Sequence, residues 1–532
     1  MINPIRGRRG MAVAPHALAS QSALEVLREG GNALEAMIAA AATIAVSYPH
    51  MNSIGGDSFW LMYAPRRTPR GIDACGAAAR AASTEWYAAR GITSSIPFRG
   101  SPAANTVAGT ISGWDLAFAE SRKWGGRLPL KRLLEDSIYY AEHGYAVSSS
   151  QAMNTATRVS ELKSHPGFSK TFLQSGSAPA AGSIFKQPRL AATLKRLSRA
   201  GLNDFYEGRL AKAIAADLAA VKSPLTLEDL KRHRAKRVAP LVLEHSLATL
   251  YNMPPPTQGL VSLLILGILD VIKLDKTGQE SADYVHLVVE ATKRAFGVRD
   301  RYLTDPAYMT VKAQYWLAPG TIRELAAKVD RKRAAPWGAG KGPADTVWLG
   351  VVDGAGRAVS MIQSLYHEFG SGVVLEETGI NWQNRGSSFS LDPSALNHLR
   401  PGRKPFHTLN PALAVFRDGR TMIYGTMGGD GQPQTQAAVF TRVAVFGMDP
   451  QAAINAPRWL LGRTWGQTSD TLKLESRFPA RVPMLLGSYG HEIEILQDYD
   501  SAMGHAGAIV RHANGTLEGG ADPRSNGQVA AF

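Results

Sequence analysis

Thr346-Val347-Trp348-Leu349-Gly350-Val351-Val352-Asp353 is built mainly of β-branched and aromatic residues and closes on Asp353-Gly354-Ala355-Gly356, so it reads as a strand running into a turn. The residues before it, Ala335-Pro336-Trp337-Gly338-Ala339-Gly340-Lys341-Gly342-Pro343-Ala344-Asp345, are loose and rich in glycine and proline. The seam lies between Asp345 and Thr346. A chain that cut itself there would make Thr346 a new N-terminus, with a hydroxyl nucleophile and an α-amine base on one residue. An α-amine titrates at roughly 7.7–8.0, so a fair fraction is free to accept the hydroxyl proton at neutral pH. Read alone, Asp-Thr at a strand start is also ordinary sheet sequence.

Outward from the seam, Ala358 to Leu365 is a second strand across the turn, and Ala412 to Phe416 with Arg420 to Gly425 is another strand pair. Upstream the texture is helical. The first fifty residues read as two helices: Ser20 to Gly30, closed by Gly30-Gly31, and an alanine-rich helix opened by Asn32 with Glu35 as its capping-box partner. Apolar residues almost all round the second helix predict full burial. Gly55-Gly56-Asp57 then leads into a strand, Ser58 to Tyr63. Further helices are expected at 128–143, 191–199, 210–218, 227–233, 260–272 and 281–297, with Pro254-Pro255-Pro256-Thr257-Gln258-Gly259 as a stiff loop before one of them. A helix-rich first part and a strand-led second part predict layered α+β packing.

The bulk composition is that of a globular protein. Of 532 residues, 45% are hydrophobic and 19% charged, which excludes a disordered chain. A single cysteine, Cys75, excludes an internal disulfide framework and a cysteine-built zinc site. No apolar core follows the N-terminal basic residues, and the longest apolar run is too short for a bilayer, so the expectation is a cytoplasmic protein without membrane attachment. The net charge of +15 is spread over scattered clusters without interleaved aromatics, which argues against nucleic acid and for a basic surface able to attract a small anion.

Three more segments carry candidate chemistry. Gly425-Thr426-Met427-Gly428-Gly429-Asp430 puts paired glycines after a strand, a turn or an oxyanion hole; no Lys-Ser or Lys-Thr pair supports a phosphate loop. Gln363-Ser364-Leu365-Tyr366-His367-Glu368 offers polar residues for a site wall, and adjacent His367 and Glu368 do not make a metal site. Trp382-Gln383-Asn384-Arg385-Gly386 places an arginine in a turn, either on the surface or as a planar fork for a carboxylate.

These strings, with Gly31-Asn32-Ala33-Leu34-Glu35-Ala36, Leu225-Thr226-Leu227-Glu228-Asp229-Leu230, Met253-Pro254-Pro255-Pro256 and Arg299-Asp300-Arg301-Tyr302, resemble the γ-glutamyltransferase family of N-terminal-nucleophile hydrolases along nearly the whole chain. The resemblance implies a proenzyme with a four-layer αββα sandwich, formed jointly by residues 1–345 and 346–532 after self-cleavage between Asp345 and Thr346. It implies that Thr346 is the nucleophile, Gly428 and Gly429 the oxyanion pair, and Ser364 the hydroxyl supporting the nucleophile. It implies no cofactor and no metal, with the two fragments held as a heterodimer or a dimer of heterodimers.

The departures from the family pattern are specific. Val347 stands where a second threonine is usual, and Asp73-Ala74-Cys75-Gly76, where an arginine would bind the α-carboxylate, holds none. His407-Thr408 replaces paired serines. Arg385 and Ser388 replace the glutamine and aspartate that hold the glutamyl amine, and Tyr366 replaces an asparagine. The strings around 345–348, 366–372 and 382–386 look like the oxamate amidohydrolase branch, which hydrolyses oxamate to oxalate and ammonia in purine-derived nitrogen scavenging. The expected substrate is therefore a small anionic amide, with Arg385, Tyr366, His407 and Thr408 as its binding residues. A γ-glutamyltransferase or glutathione hydrolase is the alternative, a bulkier-acid acylase another, and an uncleaved binding relative the reading from a different class.

Overall fold

The computed structural model describes residues 3–337, 345–463 and 469–532. Most of the loose segment before the seam, 338–344, lies outside the described residues. Two seven-stranded sheets form the centre. The first runs, edge to edge, Gln528–Ala531, Gly10–Ala14, Asp345–Asp353, Ala358–Tyr366, Asp57–Tyr63, Arg70–Ala74 and Lys236–Val238. The second runs Ile5–Gly7, Leu517–Ala521, Ala506–Arg511, Thr421–Thr426, Ala412–Phe416, Ala248–Asn252 and Leu241–Glu244. Every pairing within both sheets is antiparallel.

Alternation along each strand divides the core in three. Val347, Leu349, Val359, Met361, Trp60 and Met62 face one helix layer, with Ala17–Arg28, Ala33–Ser47 and Thr110–Lys123. Trp348, Val352, Ile362, Phe59 and Leu61 face the second sheet. The outer face of that sheet is covered by Gly259–Ile272, Ala282–Tyr302 and Gly431–Ala444. The result is an αββα sandwich. Helix Ala33–Ser47 has every residue buried, as its composition predicts, and its Asn32–Glu35 capping box is formed. Its first turn also donates Ala33 N–H to Asp353 Oδ2 at 3.0 Å, so a carboxylate at the strand end caps a helix N-terminus.

Two expectations change, and the C-terminal strands add to the sequence reading. The first fifty residues hold two strands besides the helices, and Gly10–Ala14 lies next to the seam strand in the first sheet. It is buried on both faces, so it lacks the polar–apolar alternation that marks a half-buried strand. The helix at 128–143 is broken into Leu130–Leu133 and Glu135–His143. The C-terminal strands Ala506–Arg511, Leu517–Ala521 and Gln528–Ala531, rich in Ala and Gly, carry little propensity signal. Strands from both sides of Thr346 therefore interleave in both sheets.

Candidate active site

Thr346 sits at an irregularity in its ladder. Asp345 pairs with Tyr366 but Val347 pairs with Gln363, so Ser364 and Leu365 together face the one residue Thr346. This bulge turns the Ser364 hydroxyl to the seam: Thr346 Oγ1 lies 3.3 Å from Ser364 Oγ, which also accepts the Tyr366 N–H at 2.8 Å. Thr346 is buried. Tyr366 has φ +86, a left-handed backbone in a non-glycine residue, which is strain of the kind held at functional sites.

The facing sheet brings in the glycine pair. A side chain at Gly425 would run into Trp348, and one at Gly350 would run into the Trp348 ring and press on Ile423 at 3.1 Å. The strand Thr421–Thr426 therefore crosses the seam strand in the opposite sense, which sets Thr346 against Met427–Gly428 at the same end of the sandwich. Gly428 and Gly429 have φ +113 and +52, conformations that favour glycine. Gln258 Nε2 donates to the carbonyls of both Gly429 (2.8 Å) and Thr408 (3.0 Å), pinning the glycine loop and the 407–408 segment to the same amide. Arg299, fully buried, ties Gln258 Oε1 (3.3 Å) and Asp430 Oδ1 (2.9 Å) together behind that loop.

Arg385 is 1% exposed, in the short 3-10 turn Arg385–Ser388. Its guanidinium lies 3.9 Å over the Tyr366 ring, and neither Nη1 nor Nη2 has a hydrogen-bond partner among the described residues. Burial lowers its pKa to about 10, so the cation persists at neutral pH and its fork stays available to an anion. His407 is equally buried, with both ring nitrogens lacking hydrogen-bond partners among the described residues, and burial holds it well below the usual imidazole range, hence neutral. Thr408 Oγ1 also lacks a partner. Thr346, Ser364, Tyr366 and Arg385 are joined contact by contact, and His407, Thr408 and the glycine pair are held beside them.

Sequence reasoning gave Asp57 no role. Asp57 pairs directly across the ladder with Ser364, so its side chain shares the inter-sheet face. Oδ2 lies 3.4 Å from His407 Nε2. The one available signal was an acidic residue heading an otherwise apolar strand. Cys75, at the position without the family arginine, lies within electrostatic reach of both Arg385 and Asp57. It also lines a cleft of about 590 Å³ whose walls include Arg80, Arg232, Arg234, Lys236 and Lys404. Glu368 is committed to Arg158 (2.9 Å) and Arg99 (3.6 Å), and His367 packs on Phe98, so both shape the wall.

Metal-type ligands converge elsewhere. His286, Glu290 and His491 are buried together, but His286 Nδ1 and His491 Nε2 share a 2.8 Å hydrogen bond and Glu290 accepts Lys293 Nζ at 2.7 Å. Protons and an ammonium already engage these ligand atoms.

A family model described as gamma-glutamyltranspeptidase matches residues 19–532. The chain belongs to the γ-glutamyltranspeptidase family. It is 58% identical to the oxamate amidohydrolase proenzyme of Klebsiella pneumoniae over 98% of both chains. It is 40% identical to the glutathione hydrolase-like YwrD proenzyme of Bacillus subtilis over the full length of both. Among solved structures, cephalosporin acylase from Bacillus halodurans matches with a TM-score of 0.91 and 33% identity, covering 100% of this chain and 97% of that one. This γ-glutamyltranspeptidase-family chain is thus an amide-bond hydrolase on the N-terminal-nucleophile fold, as the motif resemblance implied. Among the described residues, no helix is long and apolar enough to cross a membrane.

Proposed function

We propose that this protein cleaves itself before Thr346 and then hydrolyses the amide of a small anionic acid, oxamate above all, to the diacid and ammonia. The observation that carries this reading is Arg385: a buried guanidinium with both terminal nitrogens unpartnered, stacked on the residue that pairs with the seam. A buried cation without an anion is costly, and a substrate carboxylate relieves that cost. The basic cleft past Cys75 supplies a field that draws anions toward it.

In the first stage Thr346 Oγ attacks the Asp345 carbonyl carbon. The C–N bond to Thr346 breaks, an ester forms, and the hydroxyl proton passes to the released nitrogen. Water hydrolyses the ester, leaving a carboxylate on Asp345 and a free amine and hydroxyl on Thr346. In the second stage the same Oγ attacks the substrate amide, and the α-amine takes its proton. N–H groups of Gly428 and Gly429 stabilise the oxyanion, each donor being worth about 3–4 kcal/mol. The proton leaves with ammonia, and water hydrolyses the acyl-threonine. Ser364 holds Thr346 Oγ in line, and Arg385 with His407 and Thr408 holds the substrate carboxylate. Residues 1–345 and 346–532 stay together through the interleaved sheets.

Sequencing the N-terminus of the smaller fragment and measuring ammonia from oxamate beside release from a γ-glutamyl anilide test this reading. Thr at the new terminus and preference for oxamate support it; one intact band with full turnover refutes it. A second reading, hydrolysis of γ-glutamyl compounds, is favoured by Asp57, a carboxyl group that could hold a substrate ammonium if it were ionised.

A further inference from the structure

The backbone anchors Asp57 through one oxygen, and the Gln383 side-chain amide also pulls on the carboxyl group. Oδ1 accepts the N–H groups of Gly76 and Gly109, each at 3.0 Å. Oδ2 is buried and has no hydrogen-bond partner among the described residues. His407 Nε2 approaches it to 3.4 Å without the geometry of a bond, and Arg385 influences it without forming an ion pair within 4.0 Å among the described residues. A mobile guanidinium beside an ionised carboxylate would close into a forked pair. Here the two are held apart, Asp57 by its two backbone donors and Arg385 by the Tyr366 ring. An acid oxygen and a cationic fork, neither with a hydrogen-bond partner among the described residues, thus stand near one another without pairing.

We propose that Asp57 is a substrate-binding residue that works as a neutral acid, donating Oδ2–H to the carboxylate whose charge Arg385 neutralises. This rests on the reading of the substrate as an anionic amide. An ionised Asp57 would set like charge against that carboxylate; a protonated one supplies the donor that the second carboxylate oxygen needs. The groups facing Asp57 are consistent with this. Arg385 faces it from the 3-10 turn, His407 from the loop before Ala412–Phe416, Cys75 from the end of Arg70–Ala74, Tyr206 from helix Asp204–Glu207, and Gln383 from the loop before Arg385. Lys404 and Asp73 pair beyond Cys75. His407 is kept neutral, and the Cys75 thiol and Tyr206 phenol are pushed up, all by burial, so Arg385 is the cation of this ring. Burial raises Asp57 to about 7 against the pull of the Gly76 N–H, Arg385, Gln383 and the Gly109 N–H. A bound carboxylate adds negative charge and raises it further, so anion binding above that pH takes up a proton. The same acid turns away a substrate ammonium, which has no acceptor in a neutral carboxyl's donor.

The test is KM for oxamate, and Ki for oxalate, from pH 5.5 to 8.5 in the wild type, Asp57→Asn and Asp57→Ala, with fragment processing checked on a denaturing gel. In the wild type both constants should rise about tenfold per pH unit above the Asp57 transition. Asp57→Asn keeps a donor that does not titrate, so it should raise KM at pH 6 threefold at most and abolish the alkaline rise. Asp57→Ala should raise KM at least tenfold at pH 6 and leave it flat with pH, so its deficit against the wild type closes above the Asp57 transition. Equal losses in both variants, or an alkaline rise that survives in Asp57→Asn, overturn the proposal. Where neither variant folds, infrared spectra of ¹³C-aspartate-labelled wild type decide: a protonated-carboxyl band must vanish between pH 6 and 8, and its absence overturns the proposal. Should the wild type hydrolyse no oxamate, oxalate binding by calorimetry is judged by the same criteria. The substrate reading then fails while the role of Asp57 stands or falls on its own. If oxamate is turned over and the two variants behave alike, the reverse holds.

Discussion

In the proposed reaction, substrate choice turns on Arg385. Its fork is buried and unpartnered, so Arg385→Ala removes a charge-assisted contact worth about 1.5–3 kcal/mol, or roughly ten- to a hundredfold in kcat/KM for an anionic amide. Arg385→Lys keeps the charge but loses the planar fork, and should fall between the two when kcat/KM is measured. At Thr346 the expectation is sharper. Thr346→Ala deletes the attacking oxygen of both stages, so the purified variant should run as one band and release no ammonia. Both could be picked out as candidates from sequence because their neighbours are distinctive strings. Asp57 could not, because its role depends on a partner 307 positions away in the ladder, Ser364, and on the burial that keeps its proton. Burial of that kind leaves no mark in a local string.

At the scale of elements, the site depends on two strands crossing at a fixed offset, and Trp348 sets it. The indole is clasped where Gly425 leaves no room for a side chain, and Nε1 donates to Ser360 Oγ at 2.9 Å. Gly425→Val therefore forces the sheets apart and should slow fragment formation, measured as the fraction processed after expression, besides lowering thermal stability. Gly428→Ala is subtler. A Cβ added there has space, with Gly504 the nearest neighbour at 3.5 Å, but φ +113 strains any side-chain-bearing residue by about 1–3 kcal/mol. The peptide should rotate, and kcat should drop about a hundredfold while KM changes little. Sequence patterns found the hairpin strands around Gly354 and the capped helix after Asn32, since turn and cap chemistry is local. They missed Gly10–Ala14 because a strand buried on both faces has no period to detect.

At the scale of the whole molecule, the interleaving of strands means that cleavage at the seam cannot release either fragment without dismantling both sheets. The charge balance of this core sets how it responds to pH. Asp57 is raised to about 7, so between about pH 4 and 7 the folded state holds a proton that the unfolded chain has lost, and this term weakens the fold as pH rises. The histidines act in the opposite sense. His50, His367 and His407 are pushed well below their ordinary value by burial, and His16 and His505 to about 4. Below about pH 6.5 the unfolded chain binds protons at these sites that the folded state refuses, so stability is lost as pH falls. His165, His233, His245, His286 and His491 are lowered too, and these ten histidines outweigh the raised carboxyls of Asp57, Glu25, Asp115 and Asp217, so the melting temperature of the wild type should fall as pH is lowered from 7 to 5. Asp57→Asn removes the opposing contribution of the buried Asp57, so its acid-side slope should be steeper than that of the wild type. Thermal melts of both proteins at pH 5, 6 and 7 check this, and parallel slopes would show that Asp57 carries no extra proton in the folded core.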